Sequence, residues 1–128
     1  MLRFFCIGAG GAVGALLRHW MSGAVHRFLG GDFPWGTLSV NLFGSLVIGF
    51  LWGTSEVVTI SHDIRLLLFI GILGSFTTFS TFSLENFNLL QNGEYFLLAV
   101  NVMASVLLGI LLILTGYFTG RLLFDAIR

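Results

Sequence analysis

The sequence predicts an all-α integral membrane protein with four transmembrane helices, the third broken in mid-membrane. Three observations carry this. Hydrophobic residues make up 56% of the 128 and charged residues 9%, where a soluble domain has about 25% charged. The length suits about four apolar stretches of roughly 20 residues, each able to cross a bilayer core. Finally, Ser75 to Ser83 uses only Ser, Thr and Phe, inside a charge-free run between Arg65 and Glu85. Hydroxyls at membrane depth need partners, and Gly71 and Gly74 just before them invite a break. A break in the bilayer is tolerated only where protein buries it or where it lines a cavity.

Composition also excludes. Net charge is zero, Lys is absent and no basic run occurs, so nucleic acid is not an expected partner. Cys6 is the single cysteine, which rules out a disulfide within one chain and leaves no Cys/His metal cluster. It reads as a small buried or lipid-facing hydrophobe. The Met-Leu-Arg start runs into apolar sequence, but that sequence is studded with Gly, continues past Arg18 and lacks an A-x-A site. It reads as a retained span rather than a signal peptide.

Span one is expected over about residues 2–25. Gly10 and Gly14 form the small-xxx-small step that lets helix backbones approach closely in lipid. A dinucleotide fingerprint fails here, because its third Gly falls on Val13 and no strand precedes it. Arg18 has two readings: it snorkels at the span end, or it is a fixed positive charge at an aqueous vestibule that attracts anions. Gly30-Gly31-Asp32 then marks a turn, and Pro34 suits the first turn of the next helix.

Span two covers about 35–54. Thr37 and Asn41 stand at i, i+4 on one face. Ser45, Gly49 and Gly53 continue the spacing as small residues, which marks a packing or pore-lining stripe. Asn41 alone fits either an interhelical hydrogen bond or a pore donor. After a polar connection over 56–63, span three covers about 64–90. The third connection is Gln91 to Glu94. Span four covers about 95–120, where Asn101, Ser105 and Gly109 repeat the polar-to-small stripe. With four spans both termini share a side. Arg3, Arg65, Arg121 and Arg128 fall there, against Arg27 and Arg18, so the positive-inside rule favours cytoplasmic termini. The excess is small enough to be compatible with both orientations. The whole chain, 1–128, is expected to be one multi-pass domain of the cell (inner) membrane.

None of the polar faces carries a carboxylate at membrane depth; Glu85 comes nearest. Proton-coupled transporters keep an ionisable group in the path, and cation pores use acid rings or carbonyl cages. Amide N–H, hydroxyl O–H and the positive edge of a Phe ring all favour an anion instead. Phe76, Phe79 and Phe82 recur every three residues. In an α-helix each step drifts by about 60°, whereas in a 3₁₀ turn the three nearly eclipse. Phe76 falls inside the expected break, Gly74 to Thr78, and reads as packing. No enzyme is expected: His19, His26 and His62 sit at or near predicted span ends, with no Ser-His-Asp grouping, phosphate loop or paired carboxylate.

Three motifs then point to a family. They are Gly11-Ala-Val-Gly-Ala-Leu-Leu-Arg18, Gly36-Thr-Leu-Ser-Val-Asn-Leu-Phe-Gly-Ser45, and Gly71-Ile-Leu-Gly-Ser-Phe-Thr-Thr-Phe-Ser-Thr-Phe-Ser83. The chain resembles the small fluoride channels of the Fluc (CrcB) family over nearly its whole length. The resemblance implies four-helix subunits in an antiparallel, dual-topology homodimer with two fluoride pores. It implies that Phe79 and Phe82 line the pores with Asn41, that Ser80 and Thr81 match vestibule hydroxyls, and that Arg18 stands near the aqueous entrance. Thr37 and Ser105 complete the expected pore set. It also implies a structural Na⁺ at the dimer centre, held by backbone carbonyls that map to Gly74 and Thr77. Where many members carry Tyr in span four, this chain has Asn101.

The expected function is a passive fluoride-selective channel that exports the ion, needing no cofactor for chemistry. The alternative is a coupled transporter, either a fluoride/proton exchanger or a small multidrug exporter; the latter wants an acid in span one, and residues 2–25 have none. A non-transporting assembly subunit is a third class, for which the polar stripes are a costly excess.

Overall fold

The computed structural model describes residues 1–126; Arg128, counted above in the charge bias, lies outside them. Four long helical segments run antiparallel in sequence order, and no strand occurs among the described residues. Helix α1 spans Leu2–Leu29 and α2 spans Trp35–Val57. The third segment is composite. A turn of α-helix, α3 (His62–Arg65), runs into a π-helix over Leu66–Leu73, then into α4 (Gly74–Phe76). The chain breaks, and α5 (Phe79–Gln91) resumes. Helix α6 spans Tyr95–Asp125.

The helices overrun the expected spans, to Leu29, Val57 and Asp125 rather than to 25, 54 and 120. Hydropathy marks the apolar part of a helix, whereas backbone hydrogen bonding continues into polar residues. Arg121 and Asp125, 3.7 Å apart at i, i+4, lie on such an extension. Helix α1 ends where Gly30 and Gly31 take φ of 59° and 78°, left-handed values that glycine adopts at no steric cost. Three segments, Trp35–Val57, His62–Gln91 and Tyr95–Asp125, are long and apolar enough to cross a membrane. Helix α1 matches them in length, but Arg3, Arg18, His19, His26 and Arg27 make it more polar.

Glycine sets the packing. Helix α1 lies against the π-helix through Gly10, Gly14 and Gly71. A Cβ on Gly71 would come 2.9 Å from the Gly10 Cα, and one on Gly14 would strike the Ile72 carbonyl. Helices α2 and α6 interlock more extensively. A Cβ on Gly49 would meet the Ile113 carbonyl and one on Gly53 that of Tyr117. From the other side, Gly116 faces Leu46 O and Gly120 faces Phe50 O. In lipid this close approach replaces the hydrophobic effect as the force between helices. Gly14→Ala is expected to lower stability by about 1–3 kcal/mol, the usual cost of overpacking, read as a lower melting temperature in detergent. An unchanged melt would show that α1 separates freely from the π-helix.

Candidate functional site

The break is narrower than the sequence suggested. Gly74, Ser75 and Phe76 stay helical, and only Thr77 (φ −79°, ψ 154°) and Thr78 (φ −148°, ψ 121°) are extended. Two side chains pin it. The Asn41 amide donates from Nδ2 to the Thr78 carbonyl at 3.1 Å and accepts at Oδ1 from the Thr78 N–H at 2.9 Å. One amide from α2 thus satisfies both backbone groups of the central residue. The Thr78 hydroxyl caps α5, accepting from the Thr81 N–H at 3.3 Å and donating to Thr81 Oγ1 at 3.0 Å. This is an N-cap of ordinary type, in which a side-chain oxygen replaces a missing carbonyl. Gly44 makes room, since a Cβ there would collide with Thr77 Cγ2.

These diversions free particular carbonyls. In an unbroken helix the Thr78 N–H would bond Gly74 O and the Thr81 N–H would bond Thr77 O. Here the first goes to Asn41 and the second to the Thr78 hydroxyl. Gly74 is exposed on the subunit surface and Thr77 is part-buried. Two carbonyl oxygens released beside a break are the donor set a hard monovalent cation takes, so Gly74 and Thr77 fit such an ion.

A cavity of about 380 Å³ opens beside the break, lined among others by Asn41, Ser45, Thr78, Phe79, Phe82 and Ser105. Four of the expected pore residues therefore share one space. The Phe79 and Phe82 rings are 5.8 Å apart and tilted by 38°. Phe79 is 79% exposed on the subunit. Phe76 is buried instead, edge to face with Phe43 at 6.1 Å. The Ser105 hydroxyl is buried with no hydrogen-bond partner.

A second cavity, of about 430 Å³, shares Thr78 with the first and is lined by Arg18, His19, His26, Thr37 and Thr81, among others. Arg18 and Thr81 thus belong together, with Thr37 beyond them. Ser80 is exposed, its Oγ 3.5 Å from the Thr78 hydroxyl, and lines neither cavity.

Sequence reasoning missed three contributors. Thr78 is the capping and clamped residue, and the signal was its place before Phe79-Ser80-Thr81, where an N-cap hydroxyl belongs. Glu85 accepts from Thr37 Oγ1 at 2.6 Å, so Thr37 holds a carboxylate rather than standing free. Asn86 joins Asn101 at 3.1 Å. Its signal was a buried amide on each of two neighbouring apolar helices.

Comparison with known proteins identifies the chain's relatives. Residues 5–117 match the family model described as CrcB-like protein, Camphor Resistance (CrcB). A fluoride-specific ion channel FluC of Magnetococcus marinus is 46% identical over 118 residues, covering 91% of this chain and 96% of its own. That of Parabacteroides distasonis is 39% identical over the whole of both chains. One from Dehalococcoides mccartyi is 45% identical over 125 residues, covering 96% and 95%. A match over most of the length, together with helices able to span a bilayer, makes this a multi-pass membrane protein that belongs to the CrcB family.

Proposed function

We propose that the chain is a passive, fluoride-selective channel of the cell (inner) membrane that exports fluoride and so lowers its cytoplasmic concentration. The observation that carries this is the cavity at the break, where Asn41, Phe79, Phe82 and Ser105 converge. The relatives, which are fluoride-specific ion channels, supply the ion. The site offers an anion hydroxyl hydrogens, amide hydrogens and ring edges, groups of positive partial charge that carry no net charge to trap the ion. Ser105 has a buried hydroxyl to donate. Arg18, with Thr81, would draw anions to the mouth through the second cavity, which Thr37 also lines. Ser80, exposed beside the Thr78 hydroxyl, would be a vestibule hydroxyl in this reading.

The working unit in this reading is an antiparallel, dual-topology homodimer of four-span subunits, each one domain, with two pores. Support comes from the 79% exposure of Phe79 beside the break, since a pore ring left on a subunit's outside needs a second copy to enclose it. Gly74 and Thr77 would hold a structural Na⁺ at the dimer centre. Such an ion neutralises the crowded carbonyls of two facing breaks and ties the subunits together.

Purified chain reconstituted in sealed liposomes should release fluoride, read with an electrode, when a potassium ionophore clamps the voltage. It should release no chloride in the same assay. Flux that follows voltage and the fluoride gradient supports the channel. Fluoride driven uphill by an imposed pH gradient would overturn it in favour of exchange.

A further inference from the structure

Helix α5 carries both candidate pore rings, yet the break uncouples it from the helix before it. Its rotation about its own axis must therefore be set elsewhere. At its first turn the constraint is Asn41 on Thr78. Beyond Phe82 the helix is held to α2, where Thr37 Oγ1 donates to Glu85 Oε1 at 2.6 Å, and to α6 by a further contact one turn on. Asn86 Nδ2 donates to the Phe82 carbonyl at 2.8 Å, and Asn101 Nδ2 on α6 donates to Asn86 Oδ1 at 3.1 Å. Among the described residues this is the one side-chain hydrogen bond joining α5 to α6. Both amides are buried, Asn86 9% exposed and Asn101 1%. Ser105, one turn along α6 from Asn101, lines the cavity with Phe82.

We propose that Asn86 and Asn101 are positioning residues for permeation: a directional amide relay that fixes the angle at which Phe79 and Phe82 face the cavity and thereby sets discrimination between fluoride and larger halides. Two Leu side chains could fill the same space, but dispersion contacts are non-directional and leave the helix free to roll by a fraction of a turn. A hydrogen bond weakens steeply once its angle falls, so an amide pair holds rotation where an apolar pair does not. The Phe82 carbonyl ties the relay to the ring's own residue. This inference rests on the channel reading above.

The test separates satisfaction of buried polar groups from positioning. Asn86→Leu or Asn101→Leu alone strands an amide, and lost stability is expected under either role. Asn86→Leu with Asn101→Leu removes both amides and leaves no orphan, which is often near neutral for stability. For this double variant we expect assembly like the parent, about tenfold lower fluoride flux and measurable chloride flux in the liposome assay. Parental flux and parental fluoride-over-chloride selectivity in the double variant would overturn the proposal. If the double variant does not assemble, Asn101→Gln decides. It keeps an amide on a longer stem, and at least a threefold loss of fluoride-over-chloride selectivity is expected; unchanged selectivity overturns the proposal. A parent that conducts no fluoride would instead sink the channel reading.

Discussion

Asn41→Asp should reduce fluoride flux by about a hundredfold or more while leaving part of the break intact. Aspartate keeps an oxygen to accept from the Thr78 N–H, now held at 2.9 Å. It replaces the donor that meets the Thr78 carbonyl at 3.1 Å with a second oxygen. An orphaned buried carbonyl costs about 1–3 kcal/mol. The added charge also faces the cavity. At an effective dielectric constant of about 20, a unit charge repels an anion about 6 Å away by roughly 3 kcal/mol, or a hundredfold in occupancy. Asn41→Leu separates the two effects. It adds no charge but strands both backbone groups of Thr78, so we expect a lower melting temperature, equivalent to about 2–5 kcal/mol. An aspartate variant that conducts within about twofold of the parent would remove Asn41 from the permeation path.

Phe82→Ile and Phe79→Ile should each cut fluoride flux about two- to tenfold, and together by more, without loss of assembly. Isoleucine fills much of the volume but has no positive ring edge to offer an anion. An aromatic contact is worth about 0.5–1.5 kcal/mol beyond its area, so losing both rings corresponds to roughly ten- to hundredfold. Phe76→Ile is the informative contrast. Phe76 is 5% exposed and stands edge to face with Phe43, so its loss should lower the melt and spare the flux per folded protein. Liposome flux normalised to folded protein decides between the three. Intact flux in both the Phe79 and Phe82 variants would show that the pore lies elsewhere.

Much of this arrangement was legible in the residues, for physical reasons that also explain what was not. Gly10 and Gly14 announced a close helix contact because only glycine permits one at that spacing, and they lie against Gly71 and Ile72. The hydroxyl run announced a break because lipid cannot satisfy it. Its width was not legible: whether Gly74 leaves the helix depends on which donors are diverted, and Asn41 diverts only the one at Thr78. Asn41 stood out as a polar residue in an apolar span, but its partner is a backbone 37 residues away, which no local spacing encodes. The π-helix at Leu66–Leu73 was invisible for a different reason. In Leu-Leu-Leu-Phe-Ile-Gly-Ile-Leu almost every position is apolar, so an altered period leaves no contrast in the pattern. The relay between Asn86 and Asn101 required knowing how α5 turns after the break.

The glycine interlock of α2 with α6 has a mechanical consequence. Gly49, Gly53, Gly116 and Gly120 each sit under a carbonyl of the opposite helix, like teeth engaged from both sides. Sliding one helix past the other would drive a bulky side chain against backbone at every tooth. Carriers alternate access by rocking one bundle of helices against another, and any such motion here would have to carry α2 and α6 together as one body. A conduit with fixed walls has no such need. Its flux should rise with temperature only as steeply as ions move in water, and far less than a carrier's turnover.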